Sequence, residues 1–177
     1  MLAHQQGGLL NASSFARALG VDGKTVASYL ELLVDLLLVR RLEPWHANVG
    51  KRLVKSPKIY VRDSGLAHAL LGLSTADEVL GHPVAGASWE GLVIETLIAA
   101  APEGTRPHFY RTAAGAEIDL LLELPGGATW AFEVKRSLSP SLRKGFHLAC
   151  VDLQPARRIV VYPGDESFPL GQDVEVL

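Results

Sequence analysis

Apolar residues follow two different periods along the chain, a helical one near the start and a strand-like one in the second half. Between residues 12 and 37 they recur every three or four positions, which predicts two helices around the turn "GVDG". "LVRRLEPW" and "KSPKIYVRD" have the character of strands joined by the loop "HANVGKR". Two helices across a tight turn, followed by a β-hairpin, predict a winged helix-turn-helix over residues 1–73.

The second half of the chain predicts the element order α-β-β-β-α-β. "SWEGLVIETLIAAA" carries the apolar stripe of a helix, and "PHFYRT", "AEIDLLLEL" and "ATWAFEVKR" alternate as strands do. "SPSLRKGFHLAC" predicts a helix that begins at a Ser139 cap with Pro140 in its first turn. The apolar run "RRIVVYP" predicts a strand buried on both faces. Residues 74–86 read as a linker, so a second domain is expected over residues 87–177.

The hairpin around "PGG" places charged residues opposite each other. An odd-numbered loop centred on Gly126 puts Asp119 opposite Glu133. Strict alternation then gives these two acids a polar face, while Ile118 and Leu120 lie on an apolar core face. Directly opposed carboxylates repel each other, so the arrangement costs stability unless a positive charge compensates.

A divalent cation between the two acids would remove that repulsion. Mg²⁺ takes one or two protein carboxylates together with waters and phosphate oxygens, so we expect Asp119 and Glu133 to bind Mg²⁺ or Mn²⁺. Lys135 projects from the same face, where it can orient a water or stabilise charge on a phosphate. The alternative is a hairpin whose charged face is simply solvated, and the hairpin alone leaves both interpretations open.

The composition shows that the chain has enough apolar residues for a core and that its charge is unevenly distributed along the sequence. Apolar residues make up 48% of the sequence and charged residues 20%, with a net charge of −2. Residues 1–72 carry nine Lys and Arg against five Asp and Glu, and the remaining residues carry eight against fourteen. A basic first part and an acidic second part predict two units with different partners.

Several function classes are excluded. The single cysteine, Cys150, rules out an internal disulfide framework and a cysteine-based zinc site, and we expect it to be buried. The start of the chain has no signal-peptide pattern and the apolar runs are too short for a bilayer, so a cytoplasmic protein without a membrane partner is expected. "GVDGKT" is not a P-loop, because the required first glycine is Ala18, and no ATP site is predicted in this chain.

The element order and the hairpin acids resemble the restriction-endonuclease-like (PD-(D/E)xK) superfamily. Asp119, Glu133 and Lys135 match its D…(E)xK motif, and Glu90 in "SWEGLVIE" matches the acid often supplied by its first helix. The motif's proline is absent, since Ile118 precedes the aspartate. The resemblance implies an α/β fold with a mixed central sheet, metal binding by the three acids and catalytic roles for all four charged residues.

A second resemblance covers nearly the whole chain. "LLNASSFARALGVDGKTVASYLELLVDLLLVRRLEPW", "KSPKIYVRDSGLAHALLG", "SWEGLVIETL", "FYRTAAGAEIDLLLE" and "AFEVKRS" look like the uncharacterised C-terminal region of bacterial and archaeal AAA-type ATPases. In that family a P-loop ATPase domain precedes a winged helix and a nuclease-like domain. The abrupt start at the winged helix favours a fragment over a stand-alone protein. The implied partner is the parent ATPase domain, and a homo-oligomer stays open.

The basic stretch "KRLVKSPKIYVR" contains no acid and would form the wing. A basic wing beside a helix-turn-helix is able to contact DNA phosphates, and the alternative is a module that packs against a neighbouring domain. The predicted nucleic-acid contacts are Lys51, Arg52, Lys55 and Lys58 of this stretch, Lys24 of the second helix, and Arg111.

The leading hypothesis is therefore a Mg²⁺-dependent nuclease-like domain joined to a winged helix, acting on DNA or a similar phosphodiester. Two alternatives belong to other classes. One is a non-catalytic nucleic-acid- or protein-binding adaptor of the ATPase, and the other is a plain dimerisation or docking domain. Fold resemblance alone does not distinguish among them.

Overall fold

The computed structural model describes residues 1–46, 52–171 and 173–177. Within these ranges the chain is a mixed α/β protein with six α-helices and two sheets, which confirms the predicted class. It divides into unit 1, residues 1–42 and 56–92, and unit 2, residues 43–55 and 93–177. None of the described helices has the length and hydrophobicity that a membrane span requires.

Unit 1 holds the predicted pair of helices and a small sheet. After a 3-10 helix at Leu2–Gln5, its elements are β1 (Gly8–Leu9), α1 (Ala12–Leu19), α2 (Gly23–Asp35), β2 (Val39–Leu42), β3 (Lys58–Val61), α3 (Ser64–Leu70), α4 (Ala76–Gly81) and the first half of α5 (Ala85–Ala100). The sheet order is β1-β3-β2 and both pairings are antiparallel. The predicted pairing of the two strands that flank the loop is confirmed.

The turn before α2 is a helix cap. Asp22 accepts hydrogen bonds from the backbone N–H of Thr25 at 2.8 Å and from its hydroxyl at 3.1 Å. The backbone bond is the main cause of a lowered pKa at Asp22. At the other end α2 stops at Asp35, earlier than the helical spacing predicted, and Leu37 adopts a left-handed conformation with φ 58°. The segment "GVDGKT" thus contains the cap and the first residues of α2.

The stretch predicted as a linker, residues 74–86, contains α4. The helix begins with a capping box in which Thr75 caps the backbone of Glu78, and the Glu78 side chain returns to the backbone N–H of Thr75 at 3.0 Å. These reciprocal bonds satisfy donors that a helix start otherwise leaves unpaired. The glycine and proline residues of this stretch favoured a linker, and the capping-box signal at the start of α4 was overlooked.

Unit 2 is built on a six-stranded mixed sheet. Its elements after α5 are β4 (Arg106–Arg111), β5 (Glu117–Glu123), β6 (Thr129–Val134), α6 (Lys144–Leu153), β7 (Arg157–Val161), β8 (Phe168–Pro169) and β9 (Glu175–Val176). The strand order is β4-β5-β6-β7-β9-β8, with β7 parallel to β6 and β9. The order from α5 to β7 agrees with the predicted α-β-β-β-α-β; β8 and β9 were not predicted.

Two expectations about this sheet were wrong. Leu121 and Ala131, which strict alternation put on the polar face with the acids, are fully buried in a core that includes Phe146 of α6. Both faces of the hairpin are therefore buried, because Leu120 and Phe132 on the opposite side are buried too. The helix predicted from Ser139 begins only at Lys144.

The two ends of the predicted wing loop belong to unit 2. Trp45 donates its backbone N–H to Phe109 at 2.7 Å, and Val54 donates to Arg111 at 3.0 Å. Ala113 in turn donates to the carbonyl of Arg52 at 2.9 Å. These segments extend the edge of the sheet beside β4, whereas residues 47–51 lie outside the described range.

Candidate functional site

Asp119 lies at an irregular point of β5. His108 of β4 pairs with Leu121, whereas Tyr110, two residues further along β4, pairs with Ile118, three residues back on β5. One extra residue is thus accommodated in β5 between Ile118 and Leu121, which is a β-bulge. Bulges re-aim side chains and are common beside active sites. The bulge also brings Ile118 into the same core cluster as Leu121.

The hairpin register brings Asp119 to the partner strand. Leu120 pairs with Phe132, which is the register that a loop centred on Gly126 predicted, and the next residues along the two strands are Asp119 and Glu133. The backbone N–H of Val134 donates to Asp119 Oδ2 at 2.9 Å. A side-chain carboxylate therefore takes the place of a carbonyl acceptor at the end of the ladder, and the position of Asp119 is fixed by β6.

Glu133 and Lys135 form a close ion pair on β6 and the residue after it. Lys135 Nζ lies 2.5 Å from Glu133 Oε1, with side-chain exposures of 19% and 9%. Lys135 is anchored through its backbone N–H, which donates to Val161 of β7 at 2.9 Å. Asp119, Glu133 and Lys135 are thus brought together in unit 2, and they are hereafter the carboxylate–lysine cluster.

The negative charge of Glu133 affects the pKa of Cys150 in the neighbouring core. Burial raises the pKa of the Cys150 thiol to about 11; Arg158 opposes this rise and the negative charge of Glu133 adds to it. Cys150 is free and buried, as the sequence predicted, so its thiol stays protonated at neutral pH. The cysteine is a packing residue next to the cluster and offers no nucleophile.

Glu90 has partners within unit 1. Its Oε1 accepts a hydrogen bond from the hydroxyl of Tyr60 at 2.5 Å and lies 3.2 Å from Nζ of Lys58. The carboxylate–lysine cluster belongs to unit 2. Glu90, predicted as a metal ligand, therefore interacts with two side chains of β3. Its position in a helix gave no indication of these partners.

The residues predicted to contact nucleic acid do not form a single set. Lys58 is 4% exposed and paired, so it does not present a charge to solvent as the basic-wing interpretation requires. Lys51 lies outside the described residues. Lys24 is exposed in unit 1, and Arg52 and Lys55 are exposed in unit 2.

Arg111, the remaining predicted contact, ends β4 and pairs with Glu117 across the sheet. Its Nη1 lies 3.8 Å from Glu117 Oε1, and its side chain is 44% exposed. Since Glu117 is two residues from Asp119, Arg111 stands at the same end of the sheet as the carboxylate–lysine cluster. We call this end, where β4 and β6 finish and β5 begins, the site end.

Sequence reasoning missed three exposed cations at the site end, Arg136, Arg143 and Lys144. They lie on the connection from β6 to α6 and on the first residue of that helix. The available signal was the charge pattern, because residues 135–144 contain four cations and no acid. That stretch was interpreted only as a helix start.

The donor set of the cluster suits a hard cation. Carboxylate oxygens are the ligands that Mg²⁺ and Mn²⁺ prefer, and Mg²⁺ is commonly held by one or two of them with waters and phosphate oxygens. Asp119 and Glu133 meet that description. Among residues 1–46, 52–171 and 173–177 there is no group of three Asp, Glu, His or Cys side chains that would form an all-protein cage.

These features define a two-unit α/β protein with a carboxylate–lysine cluster at one end of a mixed sheet. The family described as a domain of unknown function, DUF4143, matches residues 85–177, and a second such family, DUF8612, matches residues 1–77. The chain belongs to the DUF4143 family.

Two relatives are mycobacterial. "Uncharacterized protein Rv2008c" of Mycobacterium tuberculosis and "Uncharacterized protein Mb2031c" of Mycobacterium bovis are each 47% identical to the chain over 175 residues. The match covers 98% of this chain but only 39% of each relative, so the chain spans about two fifths of their length. No solved structure matches the chain.

Proposed function

We propose that unit 2 is a divalent-metal-dependent phosphodiester hydrolase that acts on nucleic acid. The observation that carries the proposal is the convergence of Asp119, Glu133 and Lys135 at the site end, through the bonds from Val134 to Asp119 and from Lys135 to Glu133. Two carboxylates with a neighbouring ammonium group suit a reaction in which a cation, a phosphate and a water meet.

Each residue of the cluster has a chemical role in this proposal. Asp119 and Glu133 would hold Mg²⁺ or Mn²⁺, which when bound polarises a phosphoryl oxygen and acidifies a water. Lys135 would place a positive charge beside the phosphate and stabilise the negative charge that develops as the bond breaks. The backbone bond from Val134 holds Asp119 in place before substrate arrives.

The burial of Glu133 favours this function over a solvated hairpin face. Charged side chains on a solvated face extend into water, whereas Glu133 is 7% exposed. Taking both members of an ion pair out of water costs free energy that their attraction returns only in part. A position that served stability alone would suit an apolar residue, such as the neighbouring Ala131 on the same strand.

We extend the proposal to the architecture. The order α5-β4-β5-β6-α6-β7 around a mixed sheet supports a restriction-endonuclease-like fold for unit 2. In unit 1, helices α1 and α2 followed by the antiparallel pair of β2 and β3 support a winged helix. The resemblance to AAA-type ATPase regions supports an ATPase domain as the neighbour of both units in longer proteins.

A metal titration combined with a cleavage assay tests the hydrolase. The purified chain is expected to bind Mn²⁺ in a calorimetric titration and to cleave one of a panel of DNA and RNA duplexes and single strands. Cleavage should stop on chelation and return when Mg²⁺ or Mn²⁺ is restored. The absence of both a binding heat and cleavage across the panel would contradict the proposal.

An apolar groove on unit 1 favours a second function, the docking of a protein partner. The groove has a volume of about 540 Å³. It is lined by Met1, Leu2, Ala3, Phe15, Leu19, Val21, Thr25, Val26, Tyr29, Leu30, Leu33 and Leu70. Tyr29 and Leu19 are more than half exposed. Large exposed apolar patches mark interaction sites in proteins.

The same surface argues against DNA reading by α2. The helix exposes Tyr29 and Leu32 together with the acids Glu31 and Asp35, and Lys24 is its only cation. A helix that reads a groove presents cations and amides to base edges. We infer that the occupant of the apolar groove is the ATPase domain that the family resemblance implies. The match covers 39% of each relative, so the larger part of each lies outside it.

Docking is tested by introducing negative charges into the apolar groove. The variant Leu19→Asp/Tyr29→Asp is expected to stay folded, because both side chains are exposed, and to bind the remaining part of the M. tuberculosis relative at least about tenfold more weakly than wild type. Leu138→Asp/Val151→Asp, on exposed positions of unit 2, is the control. Self-association of the wild-type chain that the groove variant abolishes would instead assign the groove to a second copy.

A further inference from the structure

The site end of the sheet carries five exposed cations. Arg111 ends β4, and the carbonyl of Arg52 accepts a hydrogen bond from Ala113 in the turn that follows. Arg136 follows Lys135 directly, and Arg143 and Lys144 begin α6. We name Arg52, Arg111, Arg136, Arg143 and Lys144 the cationic rim.

The start of α6 is held against the start of β5. Gly145, the second residue of α6, lies so close to Gly115 that a Cβ added to it would be 2.5 Å from the Gly115 carbonyl oxygen and 3.7 Å from the backbone nitrogen of Glu117. This contact places the start of α6, with Arg143 and Lys144, at the same end of the sheet as the start of β5, the strand that carries Asp119.

Three members of the rim lack an acidic partner among the residues that the structure describes. Arg136, Arg143 and Lys144 are exposed and form no ion pair within those ranges. This is unexpected in a region where residues 73–177 hold fourteen acids against eight cations. At the opposite end of the sheet Arg106, Arg157 and Arg158 are each paired, with Glu123, Glu175 and Asp173.

Stability does not account for these positions. Arg143 is the N-cap of α6 and makes no side-chain cap, and Lys144 is the first helical residue. Cations near the start of a helix are unfavourable because the helix dipole is positive there. A surface that served solubility alone would intersperse both signs of charge, whereas residues 135–144 contain no acid.

The geometry points to a nucleic-acid-contact surface formed by the cationic rim, which holds a duplex by its phosphates across the carboxylate–lysine cluster. The inference rests on the proposed function, because the cluster supplies the reason for a phosphodiester at this end of the sheet. Exposed, unpaired arginine and lysine side chains are the usual contacts to backbone phosphates.

The rim favours a duplex over a single strand. Single strands are bound through aromatic side chains on which successive bases stack. Residues 135–144 contain no aromatic residue, and neither Arg52 nor Arg111 is followed by one within the next three positions. Phosphate contacts without stacking match the regular backbone of a duplex.

The test neutralises the three unpaired cations. Arg136→Gln/Arg143→Gln/Lys144→Gln is compared with wild type for binding to a short fluorescent DNA duplex in EDTA, over a series of salt concentrations. We expect binding to weaken at least tenfold and the slope of log affinity against log salt to become shallower by about two to three, at about 0.9 per lost phosphate contact. The thermal unfolding temperature should stay equal or rise.

The matched control removes the same charge from the opposite end of the sheet. Arg106→Gln/Arg157→Gln/Arg158→Gln should change duplex affinity much less than the rim variant. An equal loss of duplex affinity in both variants would show that the effect comes from the net charge of the chain, and this would overturn the inference. It is overturned as well if wild type binds no duplex, or if the rim residues serve single strands or anionic phospholipid vesicles in preference to the duplex.

Binding and cleavage separate this inference from the hydrolase. Duplex binding that depends on the cationic rim, without metal-dependent cleavage, would contradict the proposed hydrolase activity and support the nucleic-acid-contact surface. If the rim variant cleaves as well as wild type and has unchanged duplex affinity, the nucleic-acid-contact surface is contradicted and the hydrolase activity is not. Asp119→Asn should retain duplex binding, since it removes a negative charge from the cluster.

Discussion

Asp119→Asn is expected to lower metal-dependent cleavage at least about a hundredfold while leaving the fold intact. A bound cation contributes several kcal/mol to transition-state stabilisation, and about 1.4 kcal/mol corresponds to a tenfold change in rate. Asparagine keeps an oxygen that can accept the backbone N–H of Val134, the bond that Asp119 Oδ2 makes at 2.9 Å. The substitution therefore removes the charge and preserves the local geometry.

Two companion variants assign the roles within the cluster. Glu133→Gln should weaken Mn²⁺ binding measured by calorimetry, whereas Lys135→Met should slow cleavage and leave the metal affinity largely unchanged. Glu123→Gln makes the same chemical change at the far end of the hairpin, where Glu123 pairs with Arg106, and serves as the control. Cleavage by Asp119→Asn at the wild-type rate would remove the basis for a metal centre here.

Local sequence patterns were sufficient for the hairpin. The turn "PGG" and the alternation on either side of it predicted both strands and their register, and the observed pairing of Leu120 with Phe132 follows from an odd loop centred on Gly126. That register makes Asp119 and Glu133 the next positions along the two strands. Short-range pattern therefore supplied the two acids and the lysine of the candidate site.

Features that depend on distant contacts were not predictable in this way. The bulge in β5 exists because β4 pairs on either side of it with a shifted register. The late start of α6 coincides with the tight approach of Gly145 to Gly115, thirty residues apart, although Ser139 and Pro140 look like a helix start. Burial of Leu121 likewise requires α6 to cover the face that alternation marked as polar.

Charged residues with long-range partners were the least predictable part of the site. Lys58 stands in a basic stretch and Glu90 on a helix that the resemblance associates with a metal site. Their ion pair joins residues 32 positions apart, and neither local pattern distinguishes a buried partner from an exposed contact. Each of these two side chains has two alternative uses, as a buried ion-pair partner or as a contact to a ligand, and the sequence does not choose between them.

Glu90→Ala is expected to destabilise unit 1 by about 3–5 kcal/mol, because it removes a carboxylate that pairs with the buried ammonium group of Lys58. Lys58 has a side-chain exposure of 5% and Glu90 one of 23%. The hydrogen bond from the Tyr60 hydroxyl to Glu90 is lost in the same change, which adds to the cost. Chemical denaturation that follows the unfolding of unit 1, with and without Mg²⁺, measures the change in its free energy of unfolding.

The paired variant Lys58→Met/Glu90→Leu distinguishes a structural ion pair from a metal ligand. Replacing both charges by apolar side chains of similar size should recover most of the lost stability, since a buried pair is often no more stabilising than well-packed apolar residues. Glu90→Gln is informative for the metal, because it keeps an acceptor for Tyr60 while removing the negative charge. If Glu90→Gln abolishes Mn²⁺ binding and leaves the unfolding free energy unchanged, Glu90 serves the metal centre and its pairing with Lys58 is secondary.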